Sequence, residues 1–429
     1  MQSKIPIIKK HWSEWDIALV LYVLCIFSAS VERLFNYVTL LTICFLLLHT
    51  FKSHRIYVGK INMLWVIYLL IYPFGDYLRR CQTGPVNYIL FGYAVPLIFL
   101  LVQDRHLEKH KAAEYYIMLL ACFETIGFIL KNVWYSLYVK IAYRIIARWN
   151  HAVGSFTTDN TVAAFMISVG IAISFIWWME CEKKDPVKKR KLLYIIMFLL
   201  IGLLLSSKRT IFLATLICCG IIFFINRVDN LQKAIKYIII GVLTAIVFVG
   251  ISIFVYHLYG ASNVIGRLGG TFIGLAEGED VTNFRSNLAE YMMKWWRETT
   301  STTVYGIGWG NFRGRIVDYV YVPNGHCVYR QLLCEEGIIG FAVFVLLSAI
   351  TVIMSLRNVL LFRKKPGTIE NEMANISLFV QVLFLIYSYT GNALYDVYCY
   401  LYFFLSIGWT ALLNTQLKMT RRKRGKVNR

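Results

Sequence analysis

Long apolar runs constrain this chain more than any other feature. About twelve of them reach or approach the roughly 20 residues a helix needs to cross hydrocarbon. They centre on residues 19–28, 35–48, 63–74, 88–102, 113–130, 162–179, 192–206, 211–225, 238–255, 337–355, 377–389 and 395–413. Backbone in lipid has to satisfy its own hydrogen bonds, so such runs fold as helices. Composition agrees: the 429 residues are 58% hydrophobic and 16% charged. A soluble domain would carry about 25% charged residues. A soluble globular enzyme, a disordered chain and a secreted disulfide scaffold are excluded. The expected fold class is an all-α polytopic membrane protein of about 12 transmembrane helices.

The net charge of +21 comes from 45 Lys and Arg against 24 Asp and Glu. Its distribution assigns it to topology and not to nucleic acid. With the N-terminus inside and the runs alternating, segments 1–15, 51–60, 103–111, 180–191, 226–236, 357–366 and 416–429 fall on one side. They carry about 29 of the 45 basic residues, as the positive-inside rule expects. Residues 1–255 then hold spans one to nine, 256–336 a large extracytoplasmic loop, 337–414 spans ten to twelve, and 415–429 a basic cytoplasmic tail. The first run is read as a retained helix and not a signal peptide. The ten cysteines include no C-x-x-C pair, so no zinc site or disulfide framework is indicated.

Three segments on the opposite side stand out: 131–160, the turn 206–210, and 256–336. Within the last, Phe284, Leu288, Tyr291, Met292 and Trp295 share a helical face, predicting an amphipathic helix from Asn283 to Arg297 with Asn283 as its N-cap. Lys140, Arg144 and Arg148 line one helical face as well, suited either to lipid headgroups or to an anionic lipid-linked substrate. Lys208 and Arg209 sit between two apolar runs. A guanidinium there either snorkels to headgroups or meets an anion, and its planar fork suits phosphate oxygens. Arg285 opens the amphipathic helix, on a solvated face or turned toward the same anion. Gly306, Gly308 and Gly310 are spaced by two, which allows a tight turn or a close approach and is not the dinucleotide fingerprint.

Of the eight histidines, His151, His257 and His326 fall on this side. His326 is followed by Glu335, Glu336, Gly337 and Gly340. Glu124 is ionisable and lies within an apolar run, where such residues face a cavity or the bundle interior. The acidic cluster Glu277, Glu279 and Asp280 reads as a solvated loop tip rather than a divalent-metal site.

In order, Arg285, the glycine run ending at Asn311 and Phe312, His326, Glu335, Gly337 and Gly340 resemble the signature region of the O-antigen ligase and Wzy-type polysaccharide polymerase superfamily. Residues 206–210 are similar to that family's Ser-x-Arg turn, which puts Arg209 at its Arg. Residues 154–163 resemble its Gly-x-Phe…Asn-x-x-Ala segment, ending on Asn160 and Ala163. Cys327 departs from the pattern, standing where the family usually has Asn. The resemblance spans roughly residues 154–341.

It implies a GT-C-like membrane glycosyltransferase, inverting and metal-independent, with no cofactor. Its substrate would be an oligosaccharide on undecaprenyl diphosphate. His326 would be the catalytic base, and Arg209, Arg285 and Lys208 would hold the diphosphate. Gly306, Gly308, Gly310, Asn160 and Glu335 would support the substrate loop. The expected partners are the lipid-linked oligosaccharide, membrane lipid and a chain-length regulator protein. The expected place is the inner (cytoplasmic) membrane, both termini cytoplasmic and the site on the outer face. A repeat-unit polymerase for O-antigen or capsule leads. A ligase to lipid A core, a transferase using a lipid monophosphate sugar, and a flippase of the same lipid-linked sugars are the alternatives. The first outer loop offers only Glu32 to the monophosphate reading. A flippase usually shows internal repeats, and none is evident here.

Overall fold

The computed structural model describes residues 12–28, 32–53, 58–80, 86–145, 154–156, 160–181, 185–261, 264–278, 285–312, 316–317, 320–321 and 325–427. These form a helical bundle. The first helices are α1 (Glu14–Ser28), α2 (Glu32–Ser53) and α3 (Lys60–Leu69). α3 runs on as a π-helical stretch, Leu70–Asp76, into the short α4 (Tyr77–Arg80). Pro73 lies inside that stretch and has no N–H to give, which favours the wider register. Next come α5 (Val86–Leu101), α6 (Leu107–Val133), α7 (Tyr135–Ile145), α8 (Asn160–Glu180), α9 (Pro186–Leu205), α10 (Arg209–Arg227) and α11 (Leu231–Tyr259). Three short helices follow: α12 (Val264–Glu277), α13 (Arg285–Trp296) and α14 (Thr300–Tyr305). A two-residue ladder pairs β1 (Ile316–Val317) with β2 (Val320–Tyr321), antiparallel. The chain closes with α15 (Val328–Phe362), α16 (Ile369–Thr390) and α17 (Val397–Val427).

Among the described residues, eight helices are long and apolar enough to cross a membrane: α2, α6, α8, α10, α11, α15, α16 and α17. The other four apolar runs also fold as helices but miss that mark for visible reasons. α1 has 15 residues and α5 has 16. α3 has 10 before the π stretch takes over. α9 carries Lys188, Lys189, Arg190 and Lys191 near its start, which leaves too short an uncharged stretch.

α8, α16 and α17 are buried along most of their length and form the centre, whereas α11 is exposed along nearly all of its length. Apolar burial does little to join helices in lipid, so polar contacts matter more. Here Ser355 and Thr410 hydroxyls lie 2.6 Å apart, Gln381 donates to Thr410 at 3.0 Å, and Asn358 donates to the Thr410 carbonyl at 3.1 Å.

The basic segments meet at one end of the bundle. Lys52 pairs with Glu14, and Asn62 donates to Gln103. Asp104 accepts from His49, Lys109 and the His106 N–H. Burial pushes the Asp104 carboxyl up, but these donors outweigh it and hold the group below its ordinary range. Gln416 donates to the Arg105 carbonyl, Lys111 pairs with Glu372, and Asn371 donates to Glu180. Arg363, just past α15, donates to Ile225 and Val228 carbonyls at the end of α10. α10 and α15 therefore run in the same direction, both starting toward the opposite end of the bundle.

The expected helix over Asn283–Arg297 is observed as Arg285–Trp296, while Asn283 and Phe284 lie outside the described residues. α11 continues to Tyr259, α15 begins at Val328, and α17 carries the basic tail as helix to Val427.

Candidate functional site

Thr299 starts α14 with a capping box. Its hydroxyl accepts from the Thr302 N–H, and the Thr302 hydroxyl accepts from the Thr299 N–H, each at 3.0 Å. After Tyr305 the chain turns through Gly306, Gly308 and Gly310, with φ of 73°, 103° and 80°. These values suit glycine and little else. The loop lies against a break in α15, where Gly337 has φ 66°. That break frees carbonyls from their helical partners, and the loop takes them up. Ile307 N–H donates to the Cys334 carbonyl at 2.9 Å and Gly308 N–H to that of Glu335 at 2.8 Å. A Cβ on Gly306 would sit 2.1 Å from the Glu335 carbonyl oxygen, and one on Gly337 would sit 2.3 Å from that of Val304. The two glycines let two backbones touch.

The Glu335 side chain, fully buried, ties the far end of this loop. Its carboxylate accepts from the Phe312 N–H at 3.1 Å, the Gln331 amide at 3.2 Å and the Tyr395 hydroxyl at 2.7 Å. Desolvation, then the negative charges of Glu335 and Glu336, hold the Tyr395 phenol well above its ordinary value, so it stays a donor. Tyr395 also stacks on Trp309 at 4.8 Å. The Trp309 N–H donates at 2.6 Å to Asp76, which ends the π stretch. Glu336, the next residue, accepts from the Tyr68 hydroxyl at 3.0 Å. α3, the glycine loop and the turn before α17 thus each bring a donor to two adjacent carboxylates of α15, while Asp76 of the π stretch holds the same loop.

His326 is half-buried on the turn just before α15 and has φ 50°, the left-handed region a non-glycine residue seldom occupies. Gln331 accepts from the Gly325 N–H at 2.9 Å, and the Val328 N–H donates to the Gly391 carbonyl at 3.2 Å. Cys327 stands at the N-cap of α15, where its side chain makes no cap hydrogen bond. Leu288 and Met292 of α13 pack with Phe312 and Cys334, seating that helix over the same region.

Arg209 is the first residue of α10, and Lys208, half-buried, holds its N-cap position. The Arg209 guanidinium donates to the Thr271 hydroxyl and to the Arg267 carbonyl, which anchors it to α12. Arg285 opens α13; its side chain lies outside the described residues. Asn160 opens α8, whose far end, Glu180, is at the basic end, so Asn160 belongs to the His326 end. Its Oδ1 is buried without a hydrogen-bond partner. Lys140 is exposed on α7; the side chains of Arg144 and Arg148 lie outside the described residues, as do His151, Glu279 and Asp280.

Glu124, for which the sequence offered no partner, accepts from the Phe156 N–H at 3.2 Å, and its backbone carbonyl accepts from Ser155. The Tyr138 hydroxyl donates to the carbonyls of Gly154 and Ser155, and Lys131 donates to that of Gly154. The carboxylate that the sequence turns toward a cavity or the bundle interior therefore helps clamp the 154–156 segment.

The structure joins His326, the glycine loop and Glu335 into one hydrogen-bonded unit and places Lys208, Arg209 and Asn160 at the same end of the bundle. It adds Gln331, Tyr395 and Asp76, and buries Trp309 of the glycine loop against Tyr395. Only Gln331 carried a signal in sequence, since it lies one helical turn before Glu335. Among the described residues no group of three or more His, Cys, Asp or Glu converges as metal ligands would. A histidine on such a turn carries an imidazole that can accept a proton, and Lys208 with Arg209 carry the charge to meet an anion. No protein-family model matches the chain, and no curated protein matches it.

Proposed function

We propose that this protein is a polysaccharide repeat-unit polymerase that transfers a growing glycan from undecaprenyl diphosphate to a lipid-linked repeat unit. The observation that carries the reading is the shared end: the strained His326 turn, locked to the glycine loop, and the Lys208–Arg209 start of α10 emerge on the side away from the basic segments. On this reading α1, α3 with its π stretch, α5 and α9 cross together with the eight longer helices, twelve crossings in the GT-C-like arrangement that the resemblance implies. The basic segments then face the cytoplasm and the site faces outward.

The chemistry balances without a metal or a general acid. An acceptor sugar hydroxyl attacks the anomeric carbon while the bond to diphosphate breaks with inversion. The electron pair leaves on the diphosphate, and the hydroxyl proton passes to His326. Arg209, Lys208 and Arg285 stabilise the developing diphosphate charge, each well-placed donor contributing roughly 3 kcal/mol. Base catalysis by His326 supplies about 10²–10⁴-fold. Gly306, Gly308, Gly310, Glu335 and Asn160 hold the loop and the segment facing it.

The test is an electrophoretic profile of surface polysaccharide from a deletion strain complemented with wild type or H326A. The expected result is a ladder with wild type and a single repeat unit with H326A, while the variant still inserts. A normal ladder with H326A overturns the reading. Long chains accumulating on the lipid carrier in the deletion strain would replace it with a ligase. Absence of lipid-linked repeats from the outer face would replace it with a flippase.

A further inference from the structure

We infer that Gln331 is a positioning residue, setting the reactive conformation of His326 by coupling its turn to the Glu335 carboxylate. The inference rests on the polymerase reading for its kinetics but not for its geometry. His326 sits at φ 50°, a left-handed conformation that a non-glycine residue keeps only where its surroundings impose it. The two hydrogen bonds that bracket it do so. On the C-terminal side the Val328 N–H is held by the Gly391 carbonyl, and on the N-terminal side the Gly325 N–H is held by Gln331 Oε1 at 2.9 Å.

Gln331 is buried, and both ends of its amide are committed. Oε1 accepts from Gly325, and Nε2 donates to Glu335 Oε1 at 3.2 Å. The same Glu335 oxygen accepts from the Phe312 N–H at the end of the glycine loop. One carboxylate therefore sets the spacing between the loop and the His326 turn, and Gln331 is the link between them. No other side chain of this size offers an acceptor and a neutral donor in line: Glu would face Glu335 with a second negative charge, and Met would offer neither group.

The experiment uses purified full-length protein in detergent and lipid-linked repeat units extracted from the deletion strain. Q331M is expected to lower kcat about 100-fold, the scale of a misplaced catalytic group. KM for the donor should stay within about twofold, because the cationic groups are untouched. Q331E keeps the acceptor for Gly325, and a proton shared with Glu335 restores the donor. Its activity relative to wild type should therefore rise as pH falls, a change that a merely structural defect would not produce. An activity-independent readout is the rate of diethyl pyrocarbonate modification at His326, followed by peptide mass spectrometry with exposed His257 as the internal reference. It should change at His326 alone in Q331M. Wild-type kcat with an unchanged modification rate in Q331M overturns the inference. If H326A itself turns over normally, the catalytic reading fails, and the modification rate still decides whether Gln331 holds the turn.

Discussion

Gly306 and Gly337 are where a single methyl group would be felt most. Each has a positive φ, and each faces a backbone carbonyl from the other's segment at contact distance. G306A or G337A adds a left-handed alanine, about 1–2 kcal/mol, to an overlap with backbone that cannot rotate away. Both variants are expected to lose about 2–4 kcal/mol in thermal unfolding. G220A, a helical site with nothing within 4 Å, should be neutral or slightly stabilising. Equal melting temperatures for G306A and wild type would show that the two backbones do not touch. The two-residue spacing of Gly306, Gly308 and Gly310 is legible as a turn. That Gly337 is the partner of Gly306 is not, because the pairing depends on how α14 docks on the break in α15. Asp76 and Tyr395 are invisible for the same reason: they reach the glycine loop and the Glu335 carboxylate from distant parts of the chain only once the bundle has closed.

Among the elements, α12 shows how a short amphipathic helix becomes part of the site. Its glycine face lies directly on α11: a Cβ on Gly269 would sit 2.0 Å from the Ser252 carbonyl oxygen. The opposite side of α12 supplies Thr271 and the Arg267 carbonyl to Arg209. G269V should push α12 off α11 and loosen Arg209, weakening donor binding about tenfold, near 1.4 kcal/mol. A binding assay with lipid-linked donor checks this, and unchanged affinity would disconnect α12 from the proposed anion site. Helix identity was readable for nearly every apolar run, and the periodicity of residues 284–295 placed α13 almost to its ends. The π stretch was not readable. Pro73 marks a disturbance, but that the wider register carries Asp76 to the Trp309 backbone N–H is seen only in the structure.

Taken whole, the molecule sorts its charge by end. The basic segments are joined through Glu14–Lys52, Lys111–Glu372, Glu180–Asn371 and Arg363 with the end of α10, all on one side. The Arg209–Arg267 contact and the His326 turn occupy the other. In a background lacking the native cysteines, K188C and R267C should react with a membrane-impermeant maleimide from opposite sides of sealed vesicles. Reaction of both from the same side would refute the arrangement of helix ends. Both positions are exposed, so failure to label would not be confused with burial.

By itself the amino-acid sequence determined that this chain is helical, multiply apolar and asymmetric in charge. Those properties follow from local composition: a run of about 20 apolar residues has few options in lipid, and Lys or Arg stays on the side where it is cheapest. It also marked the residues worth watching, His326, Glu335 and the glycines, by type and order. Only the tertiary structure decided what they touch. Glu124 became a clamp for residues 154–156, Glu335 became the junction of the glycine loop and the His326 turn, and Gln331 became the link between them. The physical reason is that hydrogen bonds to a buried carboxylate are set by which backbone donors arrive within about 3 Å, and that depends on how helices far apart in sequence pack.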